Sequence, residues 1–297
     1  MVVIGHLLKE KILFPDGKEI GPVLGSPAAY ISVCAAKLGL KVGLVTKIGK
    51  DMPNGLLKTF KEIGVDTEGI RISNYTTANL LIYEKSGKKR LEFSQKADDI
   101  YFEDIPNKYL DAEFFLVAPV DYEVTEVLIK RLKRKRLSME LGGFGGASSG
   151  KKGKTKKEKI DFLKKITRYF KIVKGGKEDC QCLFGGKGEK EAAQKFLEWG
   201  AKSAIITLGE KGALLMDKNG CFQIPPFAAK VLDCTGAGDV WHAGFMFEYL
   251  KTNDFKKAGI FASACSSFLI EKTGGVKKER FPSYGEVIQF IEGQGIK

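Results

Sequence analysis

Strand-like and helix-like segments alternate along nearly the whole chain, and that alternation limits the folds open to it. Residues 1–8, 41–48, 114–118, 137–141, 171–174 and 204–207 are short, apolar and rich in β-branched side chains. Between them, residues 28–38, 53–63, 123–135, 156–169 and 189–199 carry apolar side chains at helical spacing. A strand that returns to its sheet through a helix pairs in parallel with the strand it left. The order therefore predicts an α/β fold, with a mostly parallel central sheet covered by helices on both faces. Two stretches break the rhythm. Residues 9–24 read as a hairpin turning at Pro15-Asp16-Gly17, and residues 69–96 as further strands turning at Ser86-Gly87-Lys88. Strands without intervening helices predict a small β-lid, over segments 9–24 and 69–97, on one domain of residues 1–297. Residues 142–157 read as a Gly/Ser/Lys-rich loop.

Composition narrows the function. Of 297 residues, 43% are apolar and 29% charged, which suits a well-filled core. No apolar run approaches the roughly 20 residues of a membrane span. The opening Met1-Val2-Val3-Ile4-Gly5-His6 reads as a first strand rather than a signal peptide, so a cytoplasmic protein without membrane partners is expected. Six cysteines without a CxxC pair, and two histidines, argue against a structural zinc site and against disulfides. The net charge of +13 gathers partly in residues 130–136 and 151–159. The first run lies on a helical stretch with Val127, Leu128 and Leu132 on its inner face; the second adjoins the glycine-rich loop. Neither is interleaved with aromatics, so both read as solvated surface and no nucleic acid is expected.

The segment Asp233-Cys234-Thr235-Gly236-Ala237-Gly238-Asp239 runs into the apolar stretch Val240 to Leu250. Its small residues permit a tight turn and the close approach of a phosphate. A helix starting there points unpartnered amides and positive potential at an anion, with Asp239 in its first turn beside the reacting oxygen. A structural helix start has the same local pattern. The flanking segments bear on the choice. Upstream, Thr207-Leu208-Gly209-Glu210-Lys211-Gly212 follows a strand. Near the front, Gly25-Ser26-Pro27-Ala28-Ala29-Tyr30 opens a helix, and Gly49-Lys50-Asp51-Met52-Pro53-Asn54-Gly55 follows.

In this order the motifs resemble the ribokinase-like sugar kinases, the phosphofructokinase B group, over essentially the whole chain. The resemblance implies a three-layer αβα domain with a β-lid and ATP-dependent phosphorylation of an alcohol. Asp239 is then the general base, and the amides of Gly236, Ala237 and Gly238 the anion hole. Thr207, Gly209, Gly212 and Ser263 fall on the nucleotide side; Ser263 also suits a plain helix contact. Mg²⁺ would arrive with ATP, served through water by Asp179 or Glu178. Asp233 and Thr235 match residues that help bind a monovalent cation, K⁺ in particular, in many relatives, and Gly274-Gly275 would close that loop. Substrate contacts are implied at Glu10, Gly25, Ser26, Tyr30 and Glu140.

The chain departs from the family pattern at several of these positions. Gly25-Ser26 replaces Gly-Gly, Tyr30 replaces Asn, Glu10 replaces a shorter acid, and Gly176 replaces the Asn of N-x-x-E. The stretch Met139-Glu140-Leu141-Gly142-Gly143-Phe144 is nearer the inositol- and nucleoside-like branches. A neutral polyol such as an inositol, or an unusual sugar, is the expected acceptor. A nucleoside, or a kinase-fold binding protein with weak or lost activity, is the alternative. His242 and Trp241 are read as packing residues; His6, at the end of the first strand, either packs there or borders the substrate. A monomer or a homodimer fits equally.

Overall fold

The computed structural model describes residues 1–84, 89–147, 149 and 154–295. Among these, the strands are β1 (Val2–Ile4), β2 (Leu8–Leu13), β3 (Glu19–Gly25), β4 (Gly43–Ile48), β5 (Asp66–Ile72), β6 (Ala78–Tyr83), β7 (Lys89–Gln95), β8 (Phe114–Val117), β9 (Arg136–Glu140), β10 (Ile172–Gly176), β11 (Ser203–Thr207), β12 (Ala213–Asp217) and β13 (Gly220–Ile224). The helices are α1 (Pro27–Leu38), α2 (Asn54–Ile63), α3 (Glu126–Arg131), α4 (Lys156–Thr167), α5 (Lys177–Phe184), α6 (Glu189–Glu198), α7 (Ala237–Thr252), α8 (Phe255–Ile270) and α9 (Tyr284–Gly293).

The described residues form a nine-stranded sheet in the order β13-β12-β11-β10-β9-β8-β1-β4-β5. Every neighbouring pair from β11 to β5 is parallel. Alternate side chains of a strand enter opposite layers. Val3 and Leu116 face α1, α2, α7, α8 and α9, whereas Val2, Ile4, Phe115 and Val117 face α3 to α6. The result is the α/β sandwich expected from the alternation. A second, four-stranded sheet has the order β3-β2-β6-β7. Its first hairpin turns where Pro15-Asp16-Gly17 predicts; the turn expected at residues 86–88 lies outside the described residues, as do 148 and 150–153 of the glycine-rich loop.

The structure also departs from the sequence reading. Residues 69–72 belong to β5, paired with β4 in the large sheet rather than in the lid. β12 and β13, an antiparallel edge hairpin, were not expected at all. The helix expected over residues 123–135 contracts to α3. Thr125 caps it by accepting from the Leu128 amide, and Glu123 is instead consumed by the amides of His6, Val120 and Asp121. Val127, expected inside, is 68% exposed; Leu128, Ile129 and Leu132 are the buried side chains. His6 is buried too, its ring held by the Thr77 hydroxyl and the Asp98 carbonyl.

Candidate active site

The carboxyl ends of parallel strands and the start of α7 converge on one place, where open α/β sheets take their ligands. Gly236 precedes α7 at φ 82°, a left-handed conformation that glycine adopts freely. It also leaves no room: a Cβ there would lie 2.4 Å from ring carbons of Tyr30. The Ala237 amide closes a turn onto the Cys234 carbonyl at 3.1 Å. The amides of Gly238 and Asp239, in the first turn of α7, have no acceptor within the helix. Of the three amides expected to form the anion hole, that of Ala237 is turned onto the Cys234 carbonyl.

Asp239, half-buried in the first turn of α7, adjoins a buried charge cluster that no local pattern in the sequence marks. Lys174, on β10, is 3% exposed, and its Nζ donates to Glu140 Oε1 at 3.0 Å. The pairing follows from register, since Lys174 and Glu140 are direct neighbours on parallel strands. Nζ also lies against the 233–239 loop, 2.8 Å from where a Cβ on Gly238 would stand. Burial opposes the charge on Lys174, but the carboxylates of Glu140, Asp239 and Asp179 outweigh it and hold its pKa above the usual lysine value. The same surroundings act on Asp239. Burial first, then repulsion from Glu140, pushes its carboxyl up to about 8, against the attraction of Lys174. A carboxyl poised near the working pH is suited to accept a proton from a substrate alcohol.

Glu140 turns inward. Its second oxygen meets His242 Nδ1 at 3.0 Å, while His242 Nε2 meets the Ser138 hydroxyl at 2.7 Å. Burial, reinforced by Lys174, keeps the His242 pKa well below the ordinary histidine value, so the ring is a neutral link. Glu140 was expected to touch substrate; both its oxygens are engaged inside the protein, and it supports Lys174 instead. Tyr30 is likewise internal. Its ring backs Gly236, and its hydroxyl accepts from Arg280 at 3.3 Å.

At the base of the lid, Glu10 on β2 faces Asn79 on β6, whose Nδ2 donates to Glu10 Oε2 at 2.9 Å. Asn79 Oδ1 is buried without a hydrogen-bond partner. Gly25 packs against the Glu10 carboxyl, and Ser26 caps α1 by accepting from the Ala29 amide at 3.1 Å. Ser26 holds φ 106°, a strained position for a residue with a side chain. The four-stranded sheet reaches the 233–239 loop directly: Tyr83 on β6 and Thr235 share a hydroxyl–hydroxyl hydrogen bond of 2.8 Å.

Gly209 and Gly212, expected on the nucleotide side, both have positive φ, in the tight connection of β11 to β12. A Cβ at Gly212 would meet the Ile224 carbonyl oxygen at 2.0 Å. Thr207, Glu178 and Asp179 surround Gly176. Asp179 uses its two oxygens on the amides of Ala147 and Gly176, at 2.8 and 2.7 Å, while Glu178 is exposed. Ser263 accepts from the Trp241 indole at 3.2 Å inside the α7–α8 contact. Asp233 takes the amides of Thr235 and Gly274. The oxygens expected to hold a monovalent cation are turned onto the guanidinium of Arg280, 3.3 Å from Asp233 Oδ2, so a free ion does not fit there.

Known proteins share this fold. Residues 23–280 match the pfkB family of carbohydrate kinases. A cytidine kinase of Thermococcus kodakarensis is 33% identical over 262 residues, covering 84% of this chain and 88% of the relative. A ribokinase of Haemophilus influenzae is 24% identical over 284 residues, 93% of this chain and 90% of the relative. The solved fructokinase of Xylella fastidiosa with bound ATP superposes with a TM-score of 0.83 at 20% identity, over 99% of this chain and 98% of that one.

Proposed function

Because this chain belongs to the pfkB family of carbohydrate kinases, phosphotransferases with a hydroxyl acceptor, we propose that it transfers the terminal phosphoryl group of ATP to a hydroxyl of a nucleoside, with Asp239 as general base. One observation carries the chemistry: the Asp239 carboxyl, raised to about 8, stands in the first turn of α7 beside amides with no acceptor in the helix. Asp239 takes the proton as the acceptor oxygen attacks phosphorus. The first-turn amides and Lys174 meet the charge on the transferring group, and the departing diphosphate carries away the other bonding pair. Mg²⁺ bound with ATP supplies further neutralisation of phosphate charge. Glu178, exposed beside Gly176 and Thr207, is the carboxylate placed to hold one of its waters.

The nucleoside reading is supported by the identity to a cytidine kinase over most of both chains. The Glu10–Asn79 pair under the lid offers acceptors to a vicinal diol, including the unsatisfied Asn79 Oδ1. A neutral polyol such as an inositol remains the second reading, motivated by Ser26 in place of a front-loop glycine. A panel of cytidine, other nucleosides, ribose and myo-inositol, assayed for ATP consumption, separates them. The highest kcat/KM is expected with a nucleoside; preference for myo-inositol overturns that assignment, and no turnover with any acceptor favours a binding protein. Asp239→Asn is expected to lower kcat by at least about 100-fold while ATP binding, read by thermal shift, is largely kept.

A further inference from the structure

Arg280 is among the most enclosed charges of the protein, at 1% exposure. Oxygen meets every direction of its planar fork. Nε donates to the Lys272 carbonyl at 3.0 Å; Nη1 donates to the Gly275 carbonyl at 2.9 Å and to the Tyr30 hydroxyl at 3.3 Å. Nη2 faces the carbonyls of Asp233, Thr235 and Leu269 at 3.3, 3.4 and 3.5 Å, and Asp233 Oδ2 at 3.3 Å.

These oxygens come from separate parts of the fold. Leu269 lies in the last turn of α8, where carbonyls lack helical partners and the helix dipole is negative. Asp233 and Thr235 open the anion loop. Lys272 and Gly275 belong to the strap after α8, which the Val276 amide ties to the Leu24 carbonyl of β3 at 3.0 Å. Carbonyl oxygens converging with a carboxylate away from water require a cation at their centre. The guanidinium fills that place. Its effect reaches the anion hole by two contacts: Tyr30, which accepts from Nη1, presses its ring under Gly236, and the Asp233 carboxylate that faces Nη2 fixes the Thr235 amide at 2.8 Å.

We propose that Arg280 is a tethered monovalent cation, holding the 233–239 loop in its anion-binding shape so that the protein needs neither potassium nor sodium to organise it. The proposal rests on the reading of that loop as the phosphoryl-transfer centre. Its conformational part is tested without substrate. Melting temperatures of the wild-type protein in potassium, sodium and choline chloride at equal ionic strength are expected to agree within about 1 °C. Crystals soaked in thallium are expected to show no anomalous peak among the carbonyls of Asp233, Thr235 and Gly275. A peak there, or stabilisation specific to potassium, overturns the proposal.

Kinetics supply the second arm. With an acceptor that turns over, wild-type kcat is expected to vary by less than about twofold across the three salts; a tenfold or greater activation by potassium overturns the inference. Arg280→Ala is expected to lose kcat and to regain part of it with millimolar guanidinium or with potassium, not with choline. Loss in a folded variant without rescue by either cation, or full activity in choline, counts against it. Should the variant not fold, the wild-type salt series and the thallium experiment decide. Should no acceptor turn over, the functional reading fails while the melting and thallium results still stand or fall for Arg280.

Discussion

Asp239 is a residue whose usefulness and stability pull in opposite directions. Its carboxyl is raised to about 8, above the value it has in an unfolded chain. Its stabilising contribution is therefore complete at acidic pH and is lost as pH rises through about 8, while its competence as a base grows over the same interval. For the free enzyme, kcat/KM is expected to climb with pH through an apparent value near 8; a flat profile from pH 6 to 9 would remove Asp239 as the base. Asp239→Asn is expected to melt above wild type at pH 8, with each 1 kcal/mol relieved worth roughly 2–4 °C, and to lose that advantage at pH 5. Lys174→Met leaves Glu140 buried without its cation and is expected to cost about 3–5 kcal/mol, read as a lower denaturation midpoint, together with most of kcat. These residues differ sharply in how visible they are in sequence. The Asp239 loop is readable because all its parts are consecutive. Lys174 meets Glu140 across 34 positions, His242 meets Glu140 across 102, and Arg280 meets Tyr30 across 250. In a chain with 49 lysines and arginines, nothing local marks the two that are buried within the site.

At the level of elements, glycine and strand register set the site. Gly244 lets α7 approach α8: a Cβ there would lie 2.9 Å from Cys265 Sγ. The lid is coupled to the loop through β6, whose Tyr83 bonds Thr235 and stacks on Phe14 of the lid hairpin, ring centroids 5.5 Å apart. Tyr83→Phe is expected to raise the acceptor KM several-fold with little change in melting temperature; an unchanged KM would show that this bond does not help the lid close. The period of the apolar residues exposed the parallel strands and their helices. It missed the β12–β13 hairpin because Ala213-Leu214-Leu215-Met216 is a continuous apolar run without alternation. It overextended α3 because Glu123, helical in pattern, spends its carboxylate on backbone amides before the helix begins.

For the whole molecule, ligand binding and stability are linked. ATP at about 100 times its Kd is expected to add roughly 2.7 kcal/mol to wild type, and to add a similar amount to Asp239→Asn if that residue acts on the acceptor rather than on the nucleotide. No described helix is long and apolar enough to cross a membrane. Among the described residues the last strand of the large sheet ends at Ile224, before any of the 233–239 loop has appeared in the chain. The loop's partner Arg280 lies still further on and donates to the Tyr30 hydroxyl near the front. A polypeptide halted between residues 225 and 279 would contain every strand of that sheet and still lack the clasp behind Gly236. If Arg280 holds the loop as proposed, phosphoryl transfer also certifies that synthesis has passed residue 280 and that two segments 250 positions apart have found each other.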